Sequence, residues 1–156
     1  MSATPRPVVN ALTAPVEPWP GAPPGFGVRG RALGPLLGGA LIGAGVYELD
    51  PGERGGPYHY ELGREEALLV LSGTPTLRHP EGRERLAPGD FVAFRDEPAG
   101  AHQLINESQG PVRYIMFSAN REPFSAVYPD SGKISTSAGM FKISDAVDYW
   151  DGESPE

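Results

Sequence analysis

Pro51-Gly52, Tyr58-His59-Tyr60-Glu61, Glu65-Glu66, Leu69-Val70-Leu71-Ser72-Gly73, Pro88-Gly89-Asp90, His102 and Asn106 mark out the stretch, residues 51–106, around which this chain is organised. Two of the three histidines, His59 and His102, belong to this pattern, and three acidic residues follow the first of them closely. Imidazoles and carboxylates bind a divalent metal when a fold brings them together. The local pattern bears on whether it does. Residues 57–62 read as a strand with His59 and Glu61 at i and i+2. Period-two geometry puts both on one face and Tyr58 and Tyr60 on the other.

Working outward, Ala67–Leu71 reads as a strand broken at Gly73. Thr74–Arg78 and Arg83–Leu86 read as a hairpin about His79-Pro80-Glu81-Gly82, with His79 solvated in the turn. Phe91–Phe94 is a strand, Asp96–Ala101 a loop, and His102–Asn106 and Val112–Ser118 are strands. Upstream, Val28–Leu33 and Leu41–Leu49 are apolar runs bounded by glycine and proline, with a Gly34-Pro35 turn between them. Many short strands at regular spacing, with no helix-length amphipathic segment, indicate an all-β antiparallel sandwich or barrel.

The flanks differ in composition. Residues 1–27 hold seven prolines, which forbid a continuous helix or a central strand. This segment reads as an extended arm with a short edge strand around Val8–Leu12, and Trp19 and Phe26 mark it as packing on something. In residues 119–156, Tyr128-Pro129-Asp130-Ser131-Gly132-Lys133 is turn chemistry, Phe141–Ile143 a short strand and Asp145–Trp150 a helical turn. Tyr149 and Trp150 are large aromatics, so the tail is expected to dock on the barrel or on a partner subunit, with Glu153–Glu156 frayed.

Composition narrows the function. At 156 residues the length fits one domain with a core of its own. The absence of cysteine removes disulfides, thiolate metal sites and a thiol nucleophile. A net charge of -7 argues against nucleic acid and anionic membrane as partners. The run from Leu33 to Val46 is too short and glycine-rich to span a bilayer, and Met1-Ser2-Ala3-Thr4-Pro5 has no apolar stretch, so a cytoplasmic protein is expected. No glycine-rich phosphate loop follows a strand and opens a helix, which disfavours nucleotide cofactors.

These residues resemble the cupin superfamily, in its single-domain conserved-barrel type, over roughly residues 40–118. The first cupin motif runs His-x-His, a short spacer, Glu, six residues, Gly. Here His59 matches the first histidine, Glu66 the glutamate and Gly73 the glycine, while Glu61 stands where the second histidine should be. The second motif runs Pro-Gly, a strand, a loop, His, three residues, Asn. It is matched by Pro88-Gly89, Phe91–Phe94, His102 and Asn106, with a loop about three residues longer than usual. The tail's Tyr-Pro-Asp-Ser-Gly-Lys and Asp-Tyr-Trp-Asp-Gly are also similar to a subgroup of uncharacterised bacterial cupins.

The resemblance implies a single antiparallel double-stranded β-helix, or jelly-roll barrel. It divides the chain into the arm (1–27), the barrel (28–118) and an extension packing on the barrel or partner (119–156). It also implies one divalent metal per chain, zinc, manganese, iron or nickel, with His59, Glu61, Glu66 and His102 as ligands. Two imidazoles and two carboxylates would replace the family's three and one, shifting preference toward manganese or iron while still accommodating zinc. Glu61 could instead be a general base beside a two-histidine, one-carboxylate site, or a replacement that disables the metal site. Tyr47, Tyr114 and Met116 lie on strands that could line the pocket, but the sequence does not select which face looks inward. A homodimer is expected, because such barrels usually pair. Two functions follow: a metalloenzyme of oxygenase or isomerase type acting on a small molecule, or a non-catalytic barrel that binds or senses a sugar or carboxylate, with or without metal.

Overall fold

A computed structural model describes residues 8–155; Pro5 and Pro7 of the arm, and Glu156 of the tail, lie outside the described residues. The strands in chain order are β1 (Glu17–Pro18), β2 (Arg29–Ala32), β3 (Ile42–Leu49), β4 (Tyr60–Leu62), β5 (Glu66–Ser72), β6 (Thr76–His79) and β7 (Gly82–Arg85). They continue as β8 (Phe91–Phe94), β9 (Gln103–Ile105), β10 (Val112–Ala119), β11 (Ser125–Tyr128), β12 (Lys133–Thr136) and β13 (Gly139–Lys142). A one-turn helix, Gly34–Leu37, stands in place of the expected Gly34-Pro35 turn. Three sheets form, in the orders β1-β2-β3-β10-β5-β8, β13-β12-β11-β4 and β7-β6-β9. Every named pairing is antiparallel. The all-β antiparallel architecture is the one the sequence indicated.

Alternation along the strands builds the core. On β5, Leu68 and Val70 are both 1% exposed and point inward with Glu66, whereas Glu65 is exposed. On β3 and β10, Leu49, Val112 and Tyr114 face the same interior, meeting Leu77 of β6 and Leu104 of β9 from the opposite sheet. The other face of β3 carries Val46, 0% exposed, into a second cluster with Ala14 and Leu33. The arm therefore covers the outside of the large sheet. Arg113 of β10 fastens it by donating from Nε to the Ala11 carbonyl at 2.8 Å and from Nη2 to the Ala14 carbonyl. The same guanidinium pairs with Glu48 of β3, which also meets Arg29 of β2 at 3.2 Å. These three residues are cross-strand neighbours, so opposite charges alternate across the sheet. Arg29 also meets Asp50 at 2.5 Å and holds that carboxyl below its ordinary pKa.

Several local expectations are corrected. Residues 8–12 form no strand; the edge strand is Glu17–Pro18, where the chain first lies beside Arg29 and Gly30. His79 is the last residue of β6 opposite Gly82, and it is half-buried rather than a solvated turn residue. The tail's helical turn is a 3-10 turn at Ile143–Asp145. Its strand β11 docks by pairing with β4, and Arg78 of β6 clasps Asp130 of the β11–β12 turn through two hydrogen bonds of 2.6 and 2.8 Å. Tyr149 and Trp150, 84% and 74% exposed, meet edge to face with each other and do not pack on the barrel.

The motif glycine Gly73, and Gly100 in the loop before His102, have local reasons. Gly73 closes the β5–β6 turn with φ +77°, and a Cβ there would lie 2.6 Å from the Pro111 carbonyl oxygen. A Cβ on Gly100 would lie 2.0 Å from the Arg95 carbonyl oxygen. The motif asparagine, Asn106, is a buried clamp. Its Nδ2 donates to the carbonyls of Leu49 and Gly110, both at 2.9 Å, and its Oδ1 accepts from the amide and hydroxyl of Ser108.

Candidate metal centre

Two segments distant in sequence meet at one β-bridge. The His59 amide donates to the His102 carbonyl at 3.1 Å, and the His102 amide donates to the His59 carbonyl at 2.8 Å. The pairing brings the two imidazoles to 4.7 Å between ring centres. Strand β5 supplies Glu66, whose inward parity with Leu68 and Val70 aims its carboxylate between them. Its Oε2 lies 3.7 Å from Nε2 of His59 and 3.5 Å from Nε2 of His102. Three tetrahedral ligands each about 2.1 Å from a metal stand about 3.4 Å apart. The His59, Glu66 and His102 donor atoms all lie within 4.8 Å of one another.

The surroundings prepare these donors. Nδ1 of His59 donates to the Pro57 carbonyl and Nδ1 of His102 to the Gly100 carbonyl, each at 2.9 Å and each two residues back. This arrangement fixes the tautomer that leaves both Nε2 lone pairs facing Glu66. Phe94 stacks on His102 at 3.7 Å and Tyr128 on His59 at 5.8 Å, which restrains both rings. The Glu66 Oε2 is buried and has no hydrogen-bond partner among the described residues. An orphaned buried carboxylate oxygen facing two oriented imidazole nitrogens is a donor set that fits a divalent cation.

The charges are tightly coupled. Burial pushes the His102 pKa down to about 4, helped by the neighbouring His59. For His59 burial works against charging, but the Glu66 carboxylate and the Pro57 carbonyl outweigh it and hold the pKa above its ordinary value. Burial, then the Glu66 charge, pushes Glu61 up to about 7.

Glu61 shares the cavity face with His59, as the alternation predicts, but it stands outside the three-residue donor group. Its Oε2 lies 3.6 Å from Nε of Arg64, and both atoms are buried without a hydrogen-bond partner among the described residues. Arg64 in turn lies 3.4 Å above the Phe124 ring. Tyr58, on the opposite face, is buried beneath Arg78.

The centre opens into a cavity of about 630 Å³. Tyr47, Tyr114 and Met116 all line it, which settles the inward face of β3 and β10. Sequence reasoning missed Tyr128, Gln103 and the part played by Trp19 and Phe26 as cavity wall. The aromatics in otherwise turn-rich segments were the signal. Gln103 is buried and donates to the Gly56 carbonyl at 2.8 Å, holding the loop before His59.

A small antiparallel double-stranded β-helix with histidine and glutamate donors at its interior defines the cupin class. Residues 45–118, just under half of the chain, match the model of the cupin domain. No curated protein matches the chain in sequence. Among solved structures it is similar to a candidate sugar phosphate isomerase from Acidithiobacillus ferrooxidans, at 26% identity and TM-score 0.74, covering 80% of this chain and 82% of that one. A cupin-superfamily sugar phosphate isomerase from Silicibacter pomeroyi is similar at 19% identity and TM-score 0.78, covering 93% and 98%. The polyketide cyclase RemF from Streptomyces resistomycificus is similar at 19% identity and TM-score 0.60, covering 75% and 82%. The last two likenesses are of fold alone.

Proposed function

We propose that this cupin is a metal-dependent enzyme of isomerase type that acts on a small organic molecule in its interior cavity. The observation that carries the reading is the convergence of His59, Glu66 and His102 at a cavity that also holds the carboxyl of Glu61. Three protein donors leave positions open for a substrate, as catalytic sites do and closed structural sites do not. A divalent cation held by these three residues supplies a Lewis acid that polarises a substrate carbonyl. Glu61 moves the proton: burial raises its carboxyl above the ordinary carboxylate range, which favours its accepting and returning one. Arg64 positions that carboxyl, and the aromatic walls exclude water. The likeness at 26% identity to a candidate sugar phosphate isomerase supports isomerisation over oxygenation.

In this reading the described part of arm 1–27 walls the cavity, 28–118 forms the barrel, and 119–156 contributes Tyr128. The protein works in the cytoplasm as a homodimer. The pairing face is the β8 edge of the large sheet, where Phe91 is exposed.

The test separates Glu61 from the ligands. Glu66→Gln is expected to lose the metal. Glu61→Gln is expected to keep one equivalent while losing turnover by a factor of about 10²–10⁴ across a panel of aldoses and hydroxyketones, read by proton exchange in deuterated water. Loss of metal from Glu61→Gln would make Glu61 a fourth ligand and remove its role as base.

A further inference from the structure

The cavity's mouth is made by the arm, and its chemistry differs from that of its base. Strands β1 and β2 pair at Glu17–Gly30 and Pro18–Arg29, and the Trp19 amide donates to the Val28 carbonyl at 3.0 Å. The return of the loop is pinned by the Arg54 amide to the Gly25 carbonyl at 3.0 Å and by the Gly27 amide to the Glu53 carboxylate at 2.6 Å. Between these anchors Pro20, Pro23 and Pro24 stiffen the backbone. The loop thus presents Trp19 and Phe26 to the cavity at little cost in ordering. Trp19 is 57% exposed, an aromatic surface left open where a ligand would enter.

Charge is distributed against anions. No lysine or arginine is among the described residues that line the cavity, whereas Glu61 and Glu66 are. Two nearby arginines are already engaged: Arg64 with Glu61 and Glu122 over the Phe124 ring, and Arg78 with Asp130 over the Tyr58 ring. The whole chain carries -7. A third cation, Lys133, lies outside the lining, 5.5 Å from the centre of the Tyr128 ring. A phosphate dianion entering here would shed its hydration beside two carboxyls with no side-chain cation in the lining to receive it.

We infer that the cavity selects an uncharged small molecule with an apolar ring face, which stacks on Trp19 and Phe26, and that it discriminates against phosphorylated substrates. The inference rests on the cavity being the active site proposed above. It separates this chain from the substrate class in the names of the isomerases it is similar to. Trp19 and Phe26 are then specificity-determining residues.

The test uses the full chain in the Trp150→Phe background, which leaves Trp19 as the only tryptophan. Manganese-loaded and chelated samples are titrated with phenyl β-D-glucoside and with glucose 6-phosphate, a pair sharing one sugar and differing in ring against phosphate. The expected result is a saturable change in Trp19 fluorescence with the phenyl glucoside, at a Kd at least tenfold below that for glucose 6-phosphate in both samples. By calorimetry, Trp19→Ala and Phe26→Ala should each weaken phenyl glucoside at least tenfold and leave metal content unchanged. Tighter or equal binding of glucose 6-phosphate, or no saturable response to the phenyl glucoside, overturns the inference. Failure to take up manganese with the preference intact would sink the metal reading alone. Metal uptake with the preference reversed would sink the selectivity alone.

Discussion

Glu61 shows how much one residue's surroundings decide. Its carboxyl is raised to about 7 from an ordinary carboxylate value, first by burial and then by Glu66. The folded, metal-free protein therefore holds this proton more tightly than the unfolded chain. The stability linked to it is fully present below about pH 4.5 and is lost as pH rises through 7. Chelated Glu61→Gln is expected to exceed the chelated parent in stability at pH 8 by about 1–3 kcal/mol and to match it near pH 4.5, measured by urea unfolding. His102 acts in the opposite sense. Its pKa is pushed down to about 4, so the stability tied to its neutral form is present above pH 6.5 and lost as pH falls through 4. At Asn106, four hydrogen bonds converge on one amide with no exposure to solvent. Asn106→Ala is expected to cost about 2–4 kcal/mol in the same experiment, because the Leu49 and Gly110 carbonyls lose their donor.

At the scale of elements, the strands were legible because burial on one face imposes alternation. Phe91–Phe94 matches its sequence reading residue for residue, and β3 and β10 differ from theirs by a residue at one end. The side-by-side placement of His59 and Glu61 was legible for the same reason. The choice of Glu66 over Glu65 came from motif spacing, and the inward alignment of Glu66 with Leu68 and Val70 gives it a physical basis. What was not legible depends on contacts between distant segments. The bridge of His59 to His102 joins residues more than forty apart, and the inward face of β3 and β10 depends on which sheet packs opposite. The arm's edge strand was misplaced because β1 is only two residues long and is defined by its partner β2, not by its own pattern. Gly73 offers a test at this level. With φ +77° and a carbonyl oxygen 2.6 Å from any added Cβ, Gly73→Ala is expected to cost about 1–3 kcal/mol, read as a lower thermal midpoint without loss of metal.

Across the whole molecule, the cavity and its candidate metal centre draw on elements from every part of the chain. The arm gives the mouth, β5 and the segments at His59 and His102 give the donors, and β11 gives Tyr128. The large sheet leaves β8 at its edge, with Phe91 62% exposed. If that edge pairs two copies, Phe91→Asp is expected to convert a dimer to a monomer in sedimentation velocity while leaving metal content unchanged.

The central claim is that His59, Glu66 and His102 form one divalent-metal centre. Its most direct test is the metal content of the purified, untagged protein, measured per subunit beside His59→Ala and His102→Ala. About one equivalent of manganese, iron, nickel or zinc in the parent, lost in both variants with the fold intact by circular dichroism, is the predicted result. A parent that takes up no metal even after reconstitution, or variants that keep a full equivalent, would contradict it.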